Sequence, residues 1–176
     1  EAAAWAESLG VPVLRMEDGF IRSVGLGSNL VPPLSLVIDD RGIYFDPRTA
    51  SRLEELLQNH LFTKEELVQS SGLIEQLVQK NIAKYNVGSG GFVLPEPRPE
   101  TVILIPGQVE DDASIRYGSA TIKTNLDLIK AVRKENPSAY LVYKPHPDVV
   151  SGNRPGVTRD EDARQHVDEI VTQADI

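Results

Sequence analysis

Two short runs of unbroken apolar residues constrain this chain more than any other feature. "TVILI" (101–105) and "AYLVY" (139–143) each suit a strand buried on both faces. Between them, Thr124 to Asn136 reads as a helix, with Thr124 as its cap and Pro137 beyond its end. Strand, helix and second apolar strand make a parallel α/β unit, because a parallel sheet is covered on both faces and its strands need no polar side. Ligands of such sheets sit at the carboxyl ends of the strands. The polar clusters that follow these two strands, "QVEDD" (108–112) and "KPHPD" (144–148), are therefore the first places to look for chemistry.

The N-terminal half carries weaker signals. Residues 1–9 read as the closing turns of a helix ended by Gly10. "VPVLRM" (11–16) reads as a short buried strand, and 17–33 as a loop longer than a simple connection requires. "LSLVIDDRGIYFD" (34–46) has the pattern of a hairpin turning at Asp39-Asp40-Arg41-Gly42. Ser51-x-x-Glu54 and Thr63-x-x-Glu66 are capping boxes that open two helices. The second helix is expected to run to about Tyr85, with Leu67, Ile74, Leu77, Val78 and Ile82 as its apolar stripe. Residues 87–100, rich in Gly and Pro, are the best linker in the chain. The expected layout is a first domain over 1–86, a linker over 87–100 and a second domain over 101–176. "DEDARQHVDEIVTQ" is expected to form a third helix, with a new strand beginning at "ADI". The sequence does not open on Met and starts within a helical pattern, so it is expected to be cut from a longer polypeptide.

Charge and composition exclude several classes. With 26 acidic and 18 basic residues the net charge is −8. That is a poor balance for general nucleic-acid binding, which needs clustered Lys and Arg. There is no cysteine, which rules out disulfides and thiolate metal sites and suits the cytosol. No apolar run approaches the roughly 18 residues of a membrane span, and "EAAAWAESLG" lacks the layout of a signal peptide.

Three clusters carry candidate chemistry. Glu17-Asp18-Gly19, after the first strand, is an ordinary turn composition, and equally the acid/base end of a site. Glu110-Asp111-Asp112 could be a capped, solvated turn, or could supply a nucleophile or a base. Carboxylates also suit a divalent cation, but their spacing here matches no metal site and none is expected. His146 stands between Pro145 and Pro147, which restrict the backbone around it and fix the ring at a strand end. With Lys144 beside it, this histidine suits an anion such as phosphate. His60 falls at a helix end and His166 in a polar helix, both without an expected role, and Trp5 is expected in the core. The glycines of "GLGS" and "GSGG" do not match a dinucleotide-binding fingerprint.

Taken together, "LRMEDGFIRSVGLGSNLVPPLSLVIDDRGIYFDPR", "LIPGQVEDDASIRYGS", "TNLDLIKAVRKENP" and "YLVYKPHPDVVSGNRPG" resemble the KpsC-type capsule polysaccharide proteins, which are retaining β-Kdo glycosyltransferases. The likeness covers most of 11–157, and its acid-acid-Gly and His-Pro elements are similar to those of bacterial sialyltransferases. It implies a GT-B architecture of two Rossmann-like domains, incomplete in this chain, with a site in the cleft between them. It implies CMP-Kdo as donor and no separate cofactor. The implied acceptor is a lipid-linked, phosphatidylglycerol-type oligo-Kdo primer. Other capsule assembly proteins are implied as partners, and the implied place is cytoplasmic, peripheral to the inner membrane. The implied roles are Asp111 as nucleophile with Asp112 in reserve, and Glu17 or Asp18 as the base for the acceptor hydroxyl. His146, with Lys144, would stabilise the departing phosphate, and Gly19, Gln108 and Pro147 belong to the donor or phosphate side. Two other functions remain open: a CDP-dependent polyol-phosphate transferase, and a non-catalytic capsule-assembly module.

Overall fold

The computed structural model describes residues 2–88 and 90–174. Glu1, Ser89, Asp175 and Ile176 lie outside the described residues, and with them the first residue of the expected opening helix, part of "GSGG" and most of "ADI". The chain divides into two compact units, residues 1–27 with 31–86, and residues 28–30 with 87–176. Among the described residues no helix is long and apolar enough to cross a membrane.

The first unit opens with α1 (Ala2–Ser8), which Gly10 closes at φ 67°, a left-handed conformation that glycine adopts without a Cβ clash. β1 (Arg15–Asp18) pairs antiparallel with β2 (Leu36–Asp39), setting Arg15 opposite Asp39 and Asp18 opposite Leu36. Pairing begins later than the expected strand over 11–16. Arg15 already faces Asp39, the last residue of β2, so residues ahead of Arg15 have no strand opposite them. The expected hairpin over 34–46 does not form either. The buried Asp39 carboxylate accepts from the backbone N–H groups of Arg41, Gly42 and Arg52. It thereby folds the chain into a turn that leads to the next helix instead of back along β2. The sheet of this unit is consequently a two-stranded antiparallel ribbon, and the parallel pattern belongs to the second unit.

α2 (Arg52–Asn59) and α3 (Lys64–Gln79) start at the two expected capping boxes, each complete in both directions. Asn81, at φ 51°, ends α3 short of Tyr85. α3 contributes no buried residue, so its expected apolar stripe is not core: among the described residues Leu67, Ile74 and Val78 are exposed. Trp5 is 69% exposed and is likewise not a core residue.

The second unit contains the parallel sheet. β3 (Val102–Pro106), β4 (Tyr140–Lys144) and β5 (Glu169–Ile170) lie in that order, all parallel. α4 (Asn125–Glu135) connects the first two. Thr124 caps α4 by accepting from Asp127 N–H, Asp127 and the Arg133-Lys134 pair sit at the ends that suit their charges, and Asn136 closes the helix before Pro137. The core joins Ile105, Leu141 and Tyr143 of the sheet to Ile129 of α4 and to Ala163 and Val167. Leu141 and Ile129 are fully buried. Truncating either to alanine should cost about 2–5 kcal/mol.

The expected third helix shrinks to α6 (Asp160–Ala163). His166 and Val167 donate to the Ala163 carbonyl, and Asp168 N–H then bonds to the Leu141 carbonyl, which turns the chain into β5. His166 therefore lies in a turn and is half-buried, not solvated on a helix. This is a mixed α/β fold with a Rossmann-like parallel sheet, and α5 (Pro147–Val150) follows directly from β4.

Candidate functional site

In the first unit, Glu17 and Asp18 are the last two residues of β1, so the acidic pair ends the strand instead of sitting in the loop after it. Both are half-buried. The Asp18 carboxylate pairs with the Nε–H of Arg22, a guanidinium only 5% exposed whose Nη1 also donates to Ser23 Oγ at 2.9 Å. A buried cation needs such a partner, so Asp18 has a structural task whatever else it does. Glu17 Oε1 accepts from Asp18 N–H at 3.2 Å. Gly19 N–H bonds to the Ser35 carbonyl at 2.9 Å, and a Cβ on Gly19 would lie 2.9 Å from the Ser35 carbonyl carbon. The glycine is there because Ser35, side chain and backbone together, passes too close for a Cβ.

In the second unit, two loops leave the carboxyl ends of the adjacent strands β3 and β4. Gly107 is where they touch: its N–H donates to the Lys144 carbonyl at 2.7 Å, and a Cβ would lie 2.9 Å from Pro145 Cα and 3.0 Å from His146 N. Gln108 follows, its backbone held by the side chain of Asn125, the first residue of α4. Asn125 is 3% exposed and every polar group of its amide is used. Oδ1 accepts from Gln108 N–H at 2.7 Å, while Nδ2 donates to the carbonyls of Gln108 and Gly156, each at 2.9 Å. Asn125 N–H donates to Glu110 Oε1 at 2.8 Å, so Glu110 caps the helix, a task that suits a carboxylate at a helix N-terminus. A cavity of about 250 Å³ adjoins this loop, lined by Gln108, Glu110, Ile115, Lys123 and Leu128 among others.

The two aspartates that follow diverge. Asp112 is half-buried, and its Oδ1 accepts from Ser114 N–H at 2.9 Å and Ser114 Oγ at 2.7 Å, tying down the turn Ser114–Gly118. Burial resists its ionisation, but the Ser114 hydrogen bonds and the Arg154 charge outweigh burial and hold the carboxyl below the ordinary aspartate range. Asp111 has a 57% exposed side chain and bonds through Oδ1 to Arg154 Nη2 at 2.9 Å. That hydrogen bond, with the charges of Asp111, Asp112 and Asp148, keeps the guanidinium more firmly protonated than usual.

His146 is the cap of α5. Its Nδ1 accepts from Asp148 N–H at 3.1 Å, so the neutral ring carries its proton on Nε2. Asp148 Oδ1 accepts in turn from Ser28 Oγ at 2.6 Å, and Asn153 Nδ2 donates to Ser28 Oγ and Asn29 Oδ1. Pro147 is the first helical residue of α5, where its missing N–H costs nothing. Lys144 donates its ammonium to the Ala174 carbonyl.

The fold thus gathers Gln108, Asp111, Asp112, Lys144, His146 and Pro147 at the ends of two neighbouring strands, and holds Glu17, Asp18 and Gly19 together at the end of β1. Four residues with no role expected from the sequence complete the clusters: Asp148, which ends the "KPHPD" string, Asn125, an amide directly after a helix cap, and Arg154 and Arg22, which lie within the quoted strings. Glu110, Asp111, Asp112 and Asp148 each accept a hydrogen bond from the protein.

Comparison with known proteins adds the family. The model of a family described as capsule polysaccharide biosynthesis protein matches residues 1–174. The capsule polysaccharide modification protein LipA of Neisseria meningitidis serogroup B is 59% identical over 172 residues, which are 98% of this chain and 24% of that protein. The lipopolysaccharide-processing protein LpsZ of Rhizobium meliloti is 43% identical over 157 residues, 87% of this chain and 36% of that one. Among solved structures, the β-Kdo 2,4 transferase of Thermosulfurimonas dismutans KpsC superposes with a TM-score of 0.80 at 32% identity, covering 99% of this chain and 54% of that chain. The β-Kdo 2,7 transferase of the same protein gives 0.69 at 38% identity, over 94% and 50%. The chain thus spans about a quarter to a third of the curated relatives and about half of the solved chains.

Proposed function

This chain belongs to the capsule polysaccharide biosynthesis protein family, and we propose that it carries part of the active site of a retaining β-Kdo transferase of GT-B architecture. The proposed donor is CMP-Kdo and the proposed acceptor a lipid-linked capsule primer, met at the cytoplasmic face of the inner membrane. The reading draws its main support from the likeness to the two Kdo transferases together with one observation: Asp111 and His146 leave adjacent parallel strands, at the end where such sheets bind ligands.

Retention takes two displacements, and each role has a candidate. Asp111 suits the nucleophile. It is the exposed aspartate of the pair, whereas Asp112 is committed to Ser114. Its carboxylate would attack the anomeric carbon as the bond to the CMP phosphate breaks and the electron pair leaves with CMP. His146, with its Nε2 proton, suits the departing phosphate, and no strong acid is required because CMP leaves readily. In the second step the acceptor hydroxyl attacks the same carbon, releases Asp111 and gives up its proton. Glu17 is favoured for that proton because Asp18 already neutralises Arg22.

The test is transfer by the full-length protein from CMP-Kdo to a synthetic Kdo-terminated lipid acceptor, with CMP release and product mass as readouts. Asp111→Ala is expected to abolish transfer. Near-normal transfer by that variant, or release of a CDP-polyol's nucleotide in place of CMP, would overturn the reading.

A further inference from the structure

The pairing of Asp111 with Arg154 calls for an explanation that stability does not supply. Side chains 57% and 40% exposed form an ion pair worth little, roughly 0.2–1 kcal/mol. Yet the segment that carries Arg154 is held at both ends. Asn153 and Arg154 N–H groups both donate to the Asp148 carbonyl, at 3.0 and 3.1 Å. On the other side the Gly156 carbonyl accepts from the buried Asn125 amide, and Gly156 itself takes φ 125° with its α-carbon against Gln108 and Glu110. A Cβ there would lie 3.0 Å from the Gln108 carbonyl oxygen. The backbone that carries Arg154 is therefore fixed to both strand-end loops, and from it the guanidinium reaches Asp111 Oδ1 at 2.9 Å.

From this we infer that Arg154 is a positioning residue for Asp111: it grips Oδ1 and turns Oδ2 towards the sugar. The inference rests on the proposed function above and extends it to a residue outside the acid-acid-Gly, "QVEDD" and His-Pro clusters. As Oδ2 bonds to the anomeric carbon and the carbon–phosphate oxygen bond breaks, Asp111 loses its charge to the departing CMP. Arg154 keeps Asp112 and Asp148 as counter-charges through that change. When the acceptor hydroxyl displaces the ester, the carboxylate re-forms facing the same guanidinium. A guanidinium that instead bound the donor's phosphate or carboxylate would act on affinity. One that aims the nucleophile acts on the rate of the first displacement.

That difference defines the experiment. Arg154→Gln, Arg154→Lys, Asp111→Asn and the Asp111→Asn/Arg154→Gln double variant are compared in the full-length protein. Rapid-quench measurement of the first CMP released is set beside steady-state KM for CMP-Kdo. Arg154→Gln is expected to slow the first turnover by roughly 100-fold while KM stays within about 3-fold. Arg154→Lys, which keeps a cation but loses the fixed fork, is expected to recover roughly 10-fold of that loss. The double variant should be no slower than Asp111→Asn alone, since both changes remove one interaction. A raised KM with unchanged first turnover, or an Arg154→Gln enzyme as fast as its parent beside an inactive Asp111→Asn, overturns the inference and leaves the proposed nucleophile standing. Full transfer by Asp111→Asn overturns the functional reading itself. Arg154→Lys guards against misfolding: equal loss in both Arg154 variants with lowered melting temperatures would mark a structural residue and also sink the inference.

Discussion

Asn125 and Gln108 bond to each other in both directions, side-chain amide to backbone, at 2.7 and 2.9 Å. The pairing imitates a rung of sheet at a place where the chain has left the sheet. It fixes the first turn of α4 against the loop that carries Asp111. Asn125→Ala would strand the Gln108 N–H and two carbonyls in a buried site. The expected loss is about 1–3 kcal/mol, measured by urea unfolding, with the amide resonances of Gln108 and Gly156 moving most.

Asp18 confounds any test of the proposed base. Asp18→Asn removes the charge opposite a guanidinium that is 5% exposed. The variant is expected to lose roughly 2 kcal/mol or more of stability before its chemistry is considered. Glu17→Gln leaves the Arg22 pair intact and should melt close to the parent. Calorimetry on the two variants checks this, and an unchanged Asp18→Asn would refute the structural task assigned here.

Asp112 gives a pH test. Its carboxyl is held below the usual range, against burial, by the Ser114 bonds and the Arg154 charge. A depressed folded-state value contributes stability at pH above the unfolded aspartate range, and that stability is lost as pH falls through the folded value. Ser114→Ala removes the hydroxyl bond, so the Asp112 titration followed by carboxyl-carbon NMR is expected to move upward. The acid limb of unfolding should move to higher pH with it.

Asp39 gives a second stability test in the first unit. It is 1% exposed and accepts from three backbone N–H groups. Asp39→Asn keeps the size but loses the charge and places an amide nitrogen against at least one donor. About 1–3 kcal/mol of destabilisation is expected in thermal unfolding, with exchange protection lost at Gly42 and Arg52.

The second unit was largely legible in the sequence because its signals are local and strong. Unbroken apolar runs, a threonine cap and a proline stop leave one reading for β3, α4 and β4. Both capping boxes of the first unit were legible for the same reason. Residues 34–46 were not, because their fate is decided by Asp39 reaching Arg52, thirteen positions on. The segment after Ala163 failed similarly, since the N–H groups of Asp168 and Val171 are claimed by β4. The site followed the same division. Asp111 and His146 stand in clusters whose chemistry is readable, while Arg154, near the end of a quoted string, shows its link to Asp111 only through a contact 43 positions away in the chain.

Gly107 sets a rule for anyone who would redesign this protein. The two strand-end segments meet there nearly backbone to backbone, with the Tyr143 hydroxyl filling the one remaining side, so little room is left to absorb a mismatch. Grafting one segment from a relative without the other would bring together surfaces shaped for different neighbours. A workable chimera must move both at once, and specificity in this region should therefore be inherited as a pair.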